Sequence, residues 1–267
     1  MDRRLNLVPW RPPATPRIVL ASGLATYVVA ACAAAPALPG PPEGPPTASG
    51  PPIGLPGVLP TPPTPPPGGR LVGDFSAAGW RSWENVTYFP WSPKNDYRRL
   101  DTPDGPLIHV VSQDAASMLV RRVEIDLTKE PIATWRWRIA APIAGGDERK
   151  RETDDCAARV YFVWGLKDRK DIFSAKGLAY VWGQTRRVGD IGGSPFTDQI
   201  AVMALRSGSA GAGAWQTERR DLEADYRAYF KAPPPGPITA IALLTDTDHT
   251  ASQASAWYAP IRVLARP

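Results

Sequence analysis

From about residue 70 the chain is written in short runs of apolar residues separated by Gly, Pro, Asn and Asp. Thr134-Trp135-Arg136-Trp137-Arg138-Ile139 alternates cleanly: Trp135, Trp137 and Ile139 share one face, Arg136 and Arg138 the other. A period of two is the signature of a half-buried antiparallel strand. Ser117 to Leu127 alternates in part, with Leu119, Val123 and Ile125 opposite Arg122, Glu124 and Asp126. Further strands are predicted over 71–75, with a turn at Gly79-Trp80, and over 107–112, 177–183 and 200–206. The strongly apolar run 237–245 reads as a central strand. Residues 257–264 read as one closing strand, with Trp257, Ala259, Ile261 and Val263 on one face.

Two adjacent carboxylates, Asp154 and Asp155, lead into the apolar run Cys156 to Trp164. Ala158, Val160, Phe162 and Trp164 form a wholly apolar face that should meet the core. Ala157, Arg159, Tyr161 and Val163 form the other. A charge inside a strand is costly unless it is paired or faces a wet cleft. Arg159 is therefore expected beside a cleft, paired with Asp155 or Asp246. The period changes once. Glu218 to Phe230 places Leu222, Tyr226, Tyr229 and Phe230 on one side and is stopped by Pro233-Pro234-Pro235, which predicts a helix. Many strands and one short helix indicate an all-β fold, an antiparallel β-sandwich or jelly roll. A parallel α/β fold would need a helix between successive strands, and there is no room for them.

The N-terminal quarter has a different composition. Residues 1–31 read as a lipoprotein-type signal segment: Arg3, Arg4, Arg11 and Arg17 precede an uncharged run from Ile18 to Ala35. Val29-Ala30-Ala31-Cys32 resembles a lipobox, with Cys32 the residue to be lipidated. Ala33 follows that cysteine rather than Asp, and the resemblance to proteobacterial lipoproteins then implies the outer membrane, facing the periplasm. Residues 32–69 read as a Pro-rich disordered linker. Pro36 to Pro67 holds 15 prolines and 5 glycines in 32 positions, with Glu43 as the only charge. Such a tract cannot bury enough apolar surface to offset the entropy of ordering it. Residues 70–267 are left as one β-sandwich domain.

Charge excludes one class of partner. The net charge is +5, and the arginine pairs are scattered rather than clustered, so no nucleic acid is expected. Two cysteines in unlike contexts predict no disulfide, and two histidines are too few for a His-rich zinc site.

Candidate chemistry collects in the acids. Asp154, Asp155, Asp246 and Asp248 are four carboxylates of the kind that bind calcium, with Asp246 and Asp248 the metal candidates. The opposing reading pairs Asp246 with Arg159 and leaves Asp248 and Thr250 to side-chain turns. Ten tryptophans could include sugar platforms. Trp135, Trp137 and Trp257 are expected in the core, whereas Trp182, beside Gly183 at a strand end, is the candidate for exposure, followed by Trp91 and Trp83. Gly208 to Gly213 reads as a hairpin loop, since no phosphate-loop Lys follows it. Cys156 follows two acids, lacks a neighbouring His and reads as an inert core residue.

Several of these segments together resemble a known family. Trp135-Arg136-Trp137, Asp154-Asp155 with Ala158-Arg159-Val160-Tyr161, Tyr180-Val181-Trp182, Asp225-Tyr226-Arg227 and Thr245-Asp246-Thr247-Asp248-His249-Thr250 are similar to the pattern of the bacterial domain of unknown function 3047 family. The resemblance spans about Phe75 to Ile261. It departs at Cys156, where an aromatic residue is expected, and at His249, where Asn is expected. It implies an exported β-sandwich and brings no activity with it.

The expectation for function is an envelope-anchored β-sandwich that binds an extracytoplasmic ligand, a glycan in the first instance, with calcium as the cofactor its acids would suit. Asp154, Asp155, Arg159, Trp182, Asp246, Asp248 and His249 are the candidate ligand-binding residues. Membrane contact would be through the lipid anchor only. The alternatives are a polysaccharide hydrolase or lyase working through the same four carboxylates, and a structural envelope-assembly protein.

Overall fold

The computed structural model describes residues 68–87, 91–168, 171 and 174–267. The signal segment, Cys32 and all but the last two residues of the Pro-rich linker lie outside the described residues.

Fourteen strands and two short helices follow in chain order: β1 (Arg70–Gly73), α1 (Ala77–Trp80), β2 (Trp83–Val86), β3 (Asp96–Thr102), β4 (Gly105–Gln113), β5 (Ala116–Ile125), β6 (Ile132–Ile139), β7 (Cys156–Trp164), β8 (Lys176–Gly183), β9 (Ile191–Ser194), β10 (Thr197–Ser207), β11 (Gln216–Asp221), α2 (Leu222–Phe230), β12 (Ile238–Asp246), β13 (Gln253–Tyr258) and β14 (Ile261–Leu264). They build two seven-stranded sheets. The first runs β1-β14-β6-β13-β4-β3, with β11 paired along the opposite edge of β6; the second runs β2-β5-β12-β7-β8-β10-β9. The fold is an all-β sandwich of the jelly-roll kind.

The two sheets close on a core of aromatic side chains, as the alternation of β6 and β7 requires. Trp135 meets Phe162 at 5.9 Å and Tyr180 at 5.3 Å between ring centroids. Trp137 meets Trp182 at 6.1 Å. Val160, Phe162 and Trp164 point into this core together with Trp135, Trp137 and Ile139. Strand β12 is central in its sheet, paired with β5 on one side and β7 on the other.

Five local expectations are corrected. The pairing is not antiparallel throughout: β10 runs parallel to β8. The chain leaves β8, passes one position outward to form the edge strand β9, and turns back antiparallel into the gap as β10. The helix begins later than its composition suggests. Glu218 to Asp221 belong to β11, where Glu218 pairs with Trp135 and Asp221 with Ile132, so an available sheet edge overrides helix propensity. Asp221 then caps α2, accepting the Ala224 N–H at 3.0 Å. Gly208 to Gly213 is not a hairpin loop, because it carries the chain from β10 in one sheet to β11 in the other. The closing strand is two strands, split at Ala259-Pro260. That split reverses the side of Trp257. It is buried as expected, but outside the inter-sheet core that takes Ile261 and Val263: it stacks on His109 at 4.6 Å, with the Arg138 guanidinium 4.6 Å from its ring. Arg136 and Arg138 are buried as well, so β6 is covered on both faces rather than half-buried.

Candidate site on the outer face of the second sheet

The second sheet has an outer face as apolar as its inner one, but its side chains are smaller. Ala240 and Ala242 of β12, Ala179 and Val181 of β8, and Val202 and Ala204 of β10 stand there, with Met118 and Val120 of β5 and Tyr161 and Val163 of β7. A trough runs along part of this face, over β5, β7 and β12. It forms a cleft of about 500 Å³, within the range of small-ligand sites. Met118, Val120, Tyr161, Val163, Ala242 and Leu244 form its floor, and Phe196, Thr197 and Ile200, at the turn from β9 into β10, form one wall.

The polar end of the cleft is made where β7 begins and β12 ends. Cys156 and Asp246 are cross-strand partners, so the acids before β7 and those after β12 come together, as the sequence suggested. Arg159 faces the cleft with Tyr161, as its alternation requires. Its partner is a correction. Arg159 donates to Asp154, Nη2 to Oδ1 at 2.7 Å and Nη1 to Oδ2 at 3.4 Å, rather than to Asp155 or Asp246. Nη1 also reaches the Tyr161 hydroxyl at 3.2 Å. Both members of the Arg159–Asp154 pair are buried. Burial works against the guanidinium charge, and Asp154, together with Cys156 and Tyr161, more than offsets that effect.

Asp155 is fully buried and clamps the loop after β12. It accepts the His249 N–H at 3.2 Å, the Thr250 N–H at 2.8 Å and the Thr250 hydroxyl. His249 Nδ1 lies 2.8 Å from Asp248 Oδ1 and 3.5 Å from Asp155 Oδ1. Its ring tilts toward Phe196 across the mouth of the cleft, 5.8 Å between centroids. Asp246 is only 7% exposed, and its Oδ1 has no hydrogen-bond partner. Burial pushes its carboxyl well above the usual range, against the pull of Arg159.

Of the predicted residues, the cleft therefore gathers Asp154, Arg159, Asp246, Asp248 and His249 along its wall, with Asp155 directly behind them. Trp182 does not join them. It is 0% exposed, and its Nε1 donates to the Gly208 carbonyl at 3.1 Å inside the sandwich. Trp83 is also buried, donating to the Asp74 carbonyl at 2.9 Å, whereas Trp91 is 79% exposed. Cys156 is buried, and burial drives its thiol pKa up, which suits an inert core residue.

Sequence reasoning missed Phe196 and the aliphatic floor. A lone aromatic after Gly192-Gly193-Ser194-Pro195 was the available signal for Phe196. Glu148 was missed too. It sits in the charged loop 145–153, is 0% exposed, and both its carboxylate oxygens lack hydrogen-bond partners. Its room comes from Gly183, where a Cβ would sit 1.6 Å from Glu148 Oε1.

The family described as "Protein of unknown function (DUF3047)" matches residues 81–262. No curated protein matches the sequence. Among solved structures, the chain is similar to the xyloglucanase domain of NopAA, a type three effector from Sinorhizobium fredii, with 8% identity and a TM-score of 0.40 over 69% of this chain and 93% of that one. It is similar to the endoglucanase Cel12A from Rhodothermus marinus, with 9% identity and a TM-score of 0.41 over 69% of this chain and 93% of that one. It is also similar to the family 30 carbohydrate-binding module of a Clostridium thermocellum cellulosomal cellulase, with 10% identity and a TM-score of 0.36 over 68% of this chain and 94% of that one. Likeness at this level transfers no activity.

Proposed function

The chain belongs to the family of proteins of unknown function DUF3047, and we propose, from the geometry of its cleft, that it is an extracytoplasmic ligand-binding protein whose ligand is a glycan. One observation carries the reading: a trough with an apolar floor runs up to a cluster of carboxylates and an arginine. A sugar ring has that same division. Its C–H face is apolar, and its hydroxyls donate to carboxylates and accept from guanidinium groups. The floor would take the ring faces, with Tyr161 and Phe196 as the aromatic contacts. Asp154, Arg159, Asp246 and Asp248 would take the hydroxyls.

The aliphatic floor supports a second reading, a ligand carrying a hydrocarbon chain. Met118, Val120, Val163 and Leu244 offer nothing to a hydroxyl and much to methylene groups. One experiment separates the two. The full chain is titrated with neutral oligosaccharides, with alkyl glycosides of the same sugars and with fatty acids. Binding of the oligosaccharides supports the glycan. Binding that appears only with an alkyl tail replaces it by the amphiphile, and no binding in any class contradicts both.

The address belongs to the same proposal. Among the described residues no helix is long and apolar enough to cross a membrane. Lipidation at Cys32, after Val29-Ala30-Ala31, would hold the domain at the outer membrane, with the Pro-rich tract as its tether. Labelled fatty acid should enter the wild-type protein in a Gram-negative host and not the Cys32→Ala variant. Equal labelling of both would remove the anchor from the proposal.

A further inference from the structure

The acid end of the cleft has more order than glycan binding requires. Asp155, Asp246, Asp248 and His249 each present one donor atom, and the four atoms lie within 4.8 Å of one another. Two ligands on opposite sides of an ion, each about 2.0–2.4 Å from it, are separated by no more than that. The donors come from two segments fixed by the β7–β12 ladder, one before Cys156 and one from Asp246 onward. A second observation is independent of this spacing. Asp246, which supplies one of the four donor atoms, is more than nine-tenths buried, and its Oδ1 has no hydrogen-bond donor. Arg159, the nearby cation, is occupied by Asp154. A buried carboxylate oxygen left without a donor is costly unless something absent from the protein completes it.

We propose that Asp155, Asp246, Asp248 and His249 form a divalent metal site at the end of the cleft, and that it takes an ion of the Mn²⁺ to Zn²⁺ series in preference to Ca²⁺. The donor set decides the ion. Calcium takes six to eight hard oxygen ligands. Here one donor in four is an imidazole nitrogen, which suits the later first-row ions. Asp155 is also tied on both oxygens by the Thr250 and His249 donors, which leaves it room for one bond to an ion rather than a bidentate grip. His249 Nδ1 at 2.8 Å from Asp248 Oδ1 matches two neighbouring ligands on one small ion. The hydrogen bonds that Asp155 accepts from the loop would orient it in the way supporting contacts fix metal ligands. An ion placed there would lie against the polar end of whatever occupies the cleft. The site does not depend on the identity of that ligand.

The test uses the full chain stripped with chelator and titrated calorimetrically with Zn²⁺, Mn²⁺ and Ca²⁺ in turn. One equivalent of Zn²⁺ or Mn²⁺ should bind, about tenfold or more tightly than Ca²⁺. His249→Ala and Asp246→Asn should each weaken it at least about tenfold. His249 lies at the surface, so its variant should keep the wild-type fold and decides the matter if Asp246→Asn does not fold. The proposal is overturned if neither transition ion binds at millimolar concentration, if Ca²⁺ binds as tightly, or if His249→Ala retains the wild-type affinity.

Discussion

The two faces of the second sheet are made by the same strands from the same kind of residue, yet one is closed throughout and the other opens over part of its area into a cleft. On the inner face, Val160, Phe162, Trp164, Tyr180 and Trp182 fill the space beneath the first sheet. On the outer face the same strands carry Tyr161, Val163, Ala179 and Val181, and their neighbours carry Val202, Ala204, Ala240 and Ala242. Alternation alone does not separate a core from a site here, since both faces are apolar. Side-chain volume separates them, together with charge at one end. The outer face holds Arg159 with Asp154, and Asp246 without a hydrogen bond at Oδ1.

The strongest break of this comparison is on the inner face. Trp164 packs edge-on against Tyr226 at 4.8 Å, and its Nε1 donates to the Gly236 carbonyl at 3.1 Å. Trp164→Ala should cost about 3–5 kcal/mol in chemical denaturation, because a close-packed core cannot collapse around so large a loss. On the outer face, Val163→Ala should cost about 1 kcal/mol, the order of one or two methyl groups lost beside the cleft it lines. Equal costs for the two would show that the outer face is packed as tightly as the core.

The outer face should be fragile at its charged end. Arg159→Met removes the partner of a buried carboxylate and should cost about 3–5 kcal/mol, since Asp154 is left uncompensated. Arg159→Lys keeps the charge but loses the two-pronged grip and should fall between wild type and Arg159→Met. Should Arg159→Met melt with the wild type, Asp154 is not held by this pair.

How much of this was legible follows from the same contrast. The faces of β5, β6 and β7 were readable because a period of two survives burial, and the placement of Arg159 on the cleft side followed from Val160 and Phe162 alone. Trp182 was misplaced by its neighbour Gly183, although it shares parity with Leu178 and Tyr180 and so had to point inward. The partner of Arg159 was not readable, because Asp154 and Asp155 point opposite ways and only the path of the loop before β7 decides which meets the guanidinium. A cleft beside Arg159 was expected, but its floor was not readable, since Met118, Val120, Val163 and Leu244 look like core in the sequence. The β11–α2 boundary failed because an open edge of β6 competes with a helix-forming composition.

The smallest expected effect lies on the outer face of the first sheet. His109 stacks on Trp257, its Nε2 lies 2.7 Å from the Ser255 hydroxyl, and burial holds its pKa below the ordinary 6.5. Arg98 and Arg138 act in the same direction, and Asp96 opposes them. The fold therefore favours neutral imidazole. Its contribution is present above the unfolded value of 6.5 and is lost as pH falls through the lower folded value. Denaturation midpoints of wild type should fall more steeply between pH 7.5 and 5 than those of His109→Gln. Parallel slopes would remove the buried-histidine effect.

Ala242 gives the most direct test of the central claim that the cleft on the outer face is a ligand site. Ala242→Phe should fill the trough from its floor, beside Tyr161, its cross-strand partner. The full-length wild type and this variant are passed over the same panel of oligosaccharides and alkyl glycosides, with melting curves recorded for both. The account predicts that wild type is retained by a subset of the panel, and that the variant is retained by none while still melting in one cooperative transition. Retention of the folded variant equal to wild type would contradict it.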